Sequence, residues 1–129
     1  MLKGKNKTKF NSRSNKKDIS IELISNSDCG VDIDLLNLNL PNSFRKYLNK
    51  YEKELIQKNK VYFSYIWTAR EAIFKCLKNP QKTDFFVKIK IFDIDITKKK
   101  GMGLFSDEKF ELNFFVLKNQ YLICLARKY

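Results

Sequence analysis

The chain has 129 residues, 43% of them hydrophobic and including eleven Phe and six Tyr, enough for one compact domain with a packed core. Its 26 Lys+Arg against 14 Asp+Glu give a net charge of +12, which favours an anionic partner such as nucleic acid, a phosphorylated cofactor or an acidic protein, although a Lys- and Asn-rich composition gives the same excess by itself. There is no histidine, which excludes Ser-His and Cys-His nucleophilic chemistry and His-ligated zinc. No run of eighteen apolar residues and no apolar segment near the start is present, so neither a membrane span nor a signal peptide is expected. Cys29, Cys76 and Cys124 are widely spaced and odd in number, each inside an apolar stretch, and read as buried free thiols of a cytoplasmic protein.

Residues 1–17 carry Lys3, Lys5, Lys7, Lys9, Arg13, Lys16 and Lys17 and no acid, and are expected to form a flexible basic tail ahead of a domain over 18–129. From Asp18 to Ser25, Ile19, Ile21 and Leu23 alternate with polar residues, the pattern of a half-buried strand. After the turn Asn26-Ser27-Asp28 comes Cys29-Gly30-Val31-Asp32-Ile33-Asp34-Leu35. On an extended strand Asp32 and Asp34 point to one side. Two carboxylates on one face repel unless a cation lies between them, and oxygen ligands of this kind suit Mg²⁺; two solvated aspartates on an exposed edge are the plain alternative. Asn42 or Ser43 then caps a helix with Phe44, Tyr47, Leu48, Tyr51 and Leu55 on one face, and Asn59-Lys60 separates it from the next.

That next helix is expected over Ile66–Leu77, ending before Lys78-Asn79-Pro80. Ile66, Ala69, Ile73, Cys76 and Leu77 form a buried stripe, while Trp67, Glu71 and Lys75 recur every four residues on a second one. An ordinary surface Glu–Lys pair has this spacing too. Residues Phe85–Ile96 are expected as one or two strands, with a bulge near Ile91-Phe92 where the apolar parity switches and with Asp93 and Asp95 facing solvent. Lys98–Gly103 reads as a basic loop with a weak Gly-x-Gly phosphate signal. Phe110–Val116 and Tyr121–Ala126 form a final hairpin across Lys118-Asn119.

Gly30-Val31-Asp32-Ile33-Asp34, followed by Trp67-Thr68-Ala69-Arg70-Glu71-Ala72-Ile73-Phe74-Lys75, resembles the paired signature of the 4′-phosphopantetheinyl transferases: G-[IV]-D on a strand, then W-[ST]-x-K-E-x-x-x-K on a helix. The second motif looks more like the surfactin-synthetase-activating type, whereas the length suits the holo-acyl-carrier-protein-synthase type. The resemblance runs from about Phe10 to the C-terminus. It implies an α+β fold, a single module with two main helices packed on a mostly antiparallel sheet. It also implies transfer of 4′-phosphopantetheine from coenzyme A to a serine of an acidic acyl or peptidyl carrier protein. By the same resemblance Asp32, Asp34 and Glu71 hold Mg²⁺, Asp32, Glu71 and Lys75 carry the chemistry, and Lys75 and Arg70 bind the cofactor's phosphates. Phe10-Asn11-Ser12-Arg13-Ser14 resembles the family's N-x-S-H-S element, offset by one residue and with Arg13 in place of a phosphate-contacting histidine. Tyr47-Leu48-Asn49-Lys50-Tyr51-Glu52 resembles an F-[FL]-[ST]-x-x-E segment and makes Glu52 a candidate neighbour of the metal. The family's K-x-x-G-x-G turn after the signature helix is missing. One module per chain implies a homo-oligomer, a trimer before a dimer. A non-catalytic module that binds carrier or coenzyme A, and a small nucleic-acid-binding protein, remain alternative readings; the second lacks a known binding motif.

Overall fold

The computed structural model describes residues 10–129. Seven strands and three α-helices follow one another as β1 (Phe10–Lys16), β2 (Ile19–Ser25), β3 (Cys29–Leu35), α1 (Lys50–Lys58), α2 (Val61–Cys76), α3 (Lys82–Val87), β4 (Ile89–Asp95), β5 (Lys100–Phe105), β6 (Glu108–Leu117) and β7 (Tyr121–Lys128). The fold is α+β, as expected: β3-β7-β6-β5-β4 make a five-stranded antiparallel sheet, and β1-β2 a separate hairpin. One face of the sheet packs Phe110, Leu112, Phe114, Leu122, Cys124 and Ala126 against α2, whose Ile66, Ala69, Ala72 and Ile73 are fully buried. The opposite face gives Val31, Ile33, Tyr121 and Ile123 to Ile19, Ile21 and Leu23 of the hairpin. No helix among the described residues is long and apolar enough to cross a membrane.

The two central motifs meet because glycine lets them. A Cβ on Gly30 would lie 2.0 Å from the Ala72 carbonyl oxygen, so α2 crosses β3 in direct backbone contact. Gly103 of β5 makes room in the same way for the Ile73 side chain, 2.4 Å from where its Cβ would stand. This overturns the basic-loop reading of Lys98–Gly103: Gly101 and Gly103 are buried strand residues under α2 and β4, with no room for phosphate. The bulge falls where parity predicts, between Ile91 and Asp93. The last hairpin turns over Lys118–Gln120, with positive φ at Lys118 and Asn119 and the Gln120 N–H donating to the Leu117 carbonyl (3.1 Å).

Three further expectations change. Residues 10–16, counted with the tail because of their charge, form β1, with Ser12 and Ser14 buried; residues 1–9 lie outside the described residues. The amphipathic helix from Asn42 is split. A 3₁₀ helix over Asn42–Tyr47 gives way to α1, because the Asn49 side chain accepts the Glu52 N–H (2.7 Å) and Glu52 Oε1 accepts the Asn49 N–H (2.8 Å), which starts a new helix there. Phe85–Val87 are helical rather than extended, since Asp84 accepts the Gln81 N–H (2.9 Å) and caps α3.

Candidate functional site

β3 is an edge strand, and β1 covers that edge in an unusual way. The hydroxyls of Ser12 and Ser14, two residues apart on one side of β1, accept the N–H groups of Val31 (2.9 Å) and Ile33 (3.0 Å). Serine side chains thus replace a backbone ladder and seat β1 beside the aspartates. Between β1, β3 and α2 lies a cleft of about 380 Å³, lined by Arg13, Lys16, Asp32, Asp34, Trp67, Glu71 and Lys75 among others. The strand pair and the second helix stripe therefore converge, although 33 positions or more separate their residues in sequence.

Asp32 is buried. Its Oδ1 accepts from Ser14 Oγ (3.0 Å) and from Lys75 Nζ (3.2 Å), whereas Oδ2 is buried with no partner. Burial raises its pKa, against the lowering pull of Lys75 and Ser14. Glu71 is pushed up to about 7, first by burial and then by the negative charge of Asp32. Lys75 does not form the surface pair with Glu71 that its spacing allows. It reaches across to Asp32 and donates to the Arg13 carbonyl (2.9 Å). Asp34 pairs with Lys16 (3.0 Å), and its Oδ1 accepts the Leu35 N–H (2.8 Å). The Arg13 guanidinium is exposed at the rim, paired with Glu22 at 3.3 Å.

Two expected members are elsewhere. Arg70 is completely buried and pairs with Glu52, also completely buried, through Nη2–Oε1 at 2.6 Å and Nε–Oε2 at 3.2 Å. Facing the interior from α2, Arg70 lies outside the cleft lining, and so does Glu52. Sequence reasoning quoted Ser12 and Ser14 only as flanks of Arg13 and counted Lys16 only as tail charge, and gave none of the three a role at the aspartates. Ser12 and Ser14 carry a signal in their i, i+2 spacing beside an edge strand, but their partners lie 19 positions away.

Among the described residues no three Asp, Glu or Cys side chains come together closely enough to hold a metal ion. The donor chemistry nevertheless suits a hard divalent cation at two positions. Asp32 leaves one buried carboxylate oxygen unmatched, and Glu71 is held towards its neutral form by burial and by the negative charge of Asp32.

A second hollow, of about 670 Å³, opens at the N-terminal end of α2. Its apolar floor includes Leu38, Leu40, Leu48, Ile56 and Phe63, and its rim carries Arg45, Lys53 and Lys60 with no acidic lining residue. A search of curated proteins found no match to the chain. A family model described as 4′-phosphopantetheinyl transferase superfamily matches residues 28–126, from the turn before β3 to Ala126 of β7. With both signature elements on one cleft and the match spanning most of the chain, the protein belongs to the 4′-phosphopantetheinyl transferase superfamily.

Proposed function

We propose that the protein transfers 4′-phosphopantetheine from coenzyme A to a serine hydroxyl of an acidic carrier protein, with Mg²⁺ as cofactor. One observation carries this reading: the unmatched Asp32 oxygen stands in the same cleft as Glu71, a carboxyl at about 7, and as Arg13, Lys16 and Lys75, all suited to phosphate. Asp32 and Glu71 would hold the ion, with Asp34 beside them. When bound, it supplies positive charge against the pyrophosphate and the charge that builds on the transferring phosphorus.

The remaining roles belong to the chain. The carrier serine oxygen bonds to the phosphorus of the pantetheine phosphate, and the bond from that phosphorus to the bridging oxygen breaks. Adenosine 3′,5′-bisphosphate leaves with the electron pair. Glu71, ionised beside the cation, accepts the serine proton from its place in the cleft lining. Lys75 swings from Asp32 to a phosphate oxygen as a compact point charge, and Arg13 at the rim meets the outer phosphate. Trp67 walls the cleft and packs on Phe44 and Phe85. The basic hollow beside the cleft fits an acidic carrier surface. A homo-oligomer, trimer before dimer, is part of the proposal, supported by the exposed Phe115 and Phe92 side chains.

The test is mass spectrometry of an apo carrier protein incubated with the enzyme, coenzyme A and Mg²⁺. Addition of one phosphopantetheine, lost with a chelator, is the expected result. A second reading, a non-catalytic module that binds coenzyme A or carrier, has its own support: Lys75 and Lys16 already balance Asp32 and Asp34 without a divalent ion. Coenzyme A binding that is indifferent to Mg²⁺, with no mass added, would establish that reading instead.

A further inference from the structure

Four consecutive residues of α2, Arg70 to Ile73, face four different surroundings. Ala72 is clamped by Gly30 of β3, and Ile73 fills the space left by Gly103 of β5. Arg70 is tied on the third side by a polar network in which every guanidinium nitrogen has an acceptor. Its Nε and Nη2 grip the two oxygens of Glu52, Nη1 donates to the Phe85 carbonyl (3.2 Å), and Nη2 also donates to the Tyr47 carbonyl (3.3 Å). Glu52 in turn accepts the Asn49 N–H at the start of α1 and the Ile91 N–H of β4 (2.9 Å), and Asn49 donates to the Ile91 carbonyl (3.0 Å). The guanidinium also lies over the Phe44 ring, 5.3 Å from its centre. Of these four residues only Glu71 lines the cleft.

Such a pair is a poor choice for stability alone. Desolvating two charges costs much of what their attraction returns, and apolar side chains of similar volume often do as well. What apolar packing does not supply is direction. A planar guanidinium with each nitrogen committed to an acceptor fixes the helix's rotation about its own axis more narrowly than methyl groups do. Rotation at position 70 moves position 71 with it. We infer that Arg70 and Glu52 are positioning residues: their buried bridge sets the rotation of α2 and so aims Glu71 at Asp32 and Lys75 at the cleft. The signature-helix position taken for a phosphate contact thus works from behind the site, reaching α1, α3, β4 and the 3₁₀ helix rather than the cofactor.

The inference rests on the transferase reading for its kinetic arm and carries a second arm that does not. The variants are Arg70→Lys, Glu52→Gln and the double replacement Arg70→Met/Glu52→Leu, compared with wild type in the full-length protein at a temperature where each is folded. Positioning predicts that kcat falls about tenfold to a hundredfold, the size of effect that a misplacement of about 1 Å has on a reacting group. KM for coenzyme A should change less than threefold. The double variant discriminates most sharply, because it restores charge balance and packing: its Tm should return to near wild type while kcat stays low. The independent arm is the near-ultraviolet circular dichroism of Trp67, the only tryptophan and a member of the same cleft-facing stripe. It should change in all three variants, whether or not the wild type proves to be a transferase. Recovery of kcat and of the Trp67 signal in the double variant would make the bridge mere charge balance and overturn the inference. A rise in KM for coenzyme A of tenfold or more with kcat unchanged would return Arg70 to the cofactor and overturn it equally. Wild type without transfer but with a Trp67 signal altered in every variant would sink the transferase reading alone.

Discussion

At the scale of single residues, Glu71 makes the sharpest prediction. Its carboxyl titrates at about 7 in the folded protein against 4.5 for the free group. Between those values the unfolded chain has already lost the proton that the folded chain keeps. Glu71's contribution to stability in the absence of divalent ions is therefore fully present below about pH 4.5 and is lost as pH rises through about 7. Glu71→Gln removes that dependence, so the variant should be the more stable protein at pH 8 and close to wild type at pH 4.5. Melting curves across this range check it, and parallel pH profiles for the two proteins would refute the raised pKa. In the transfer assay Glu71→Gln should lower kcat with coenzyme A binding largely kept. Lys75→Ala should weaken that binding as well, because the phosphates are charged before the transition state is reached. A helix-surface pair would make both variants nearly silent, each within ~0.5 kcal/mol of wild-type stability.

At the scale of elements, the crossing of β3 and α2 creates the site. Gly30→Ala inserts a methyl group against a backbone oxygen that no side-chain rearrangement can move aside. Destabilisation of roughly 1–3 kcal/mol is expected, as for overpacked cores. Transfer should fall further than the loss of folded protein explains, since α2 must retreat from Asp32. Denaturant titration and activity per folded molecule separate the two effects, and an unchanged specific activity would show that the contact does not set the site. Much of this level was legible in the sequence. Alternation marked β2 and the last hairpin, the Trp67, Glu71 and Lys75 stripe marked the cleft side of α2, and the aspartate pair marked β3. Contacts between distant positions were not legible. Arg70 reads, by the resemblance, as a phosphate-binding cation, and only folding brings it to Glu52, 18 residues earlier, at 0% exposure. Residues 10–16 read as a charged tail because local composition does not reveal that Ser12 and Ser14 will answer the free edge of β3. Phe85 to Val87 have strand-like side chains and became helical through an aspartate at the right spacing from Gln81, a local preference that overrode composition.

At the scale of the molecule, charge and shape together say where an acidic carrier would rest. Lys53, Ile56 and Gln57 line the hollow from α1, and Lys60 lines it from the turn that leads into α2. Arg45 stands on the 3₁₀ helix in the same lining, above an apolar floor. Cations carried by three separate elements suit an extended acidic surface better than a single anionic group, and none of the three enters the ion pairs found among the described residues. The hollow adjoins the cleft through Phe63, whose ring centre lies 6.0 Å from that of Trp67. Lys53→Glu with Lys60→Glu should therefore raise KM for the carrier at least tenfold, leave kcat at saturating carrier nearly unchanged, and leave coenzyme A binding as in wild type. The penalty should shrink as salt rises, because these charges are exposed and act through screened attraction. An equal loss at low and high salt would point to damage within the fold, and an unchanged KM would place the carrier on another face. Lys3, Lys5 and Lys7 add charge of the same sign to this steering, so deleting 1–7 should cost less than the double charge reversal at every salt concentration.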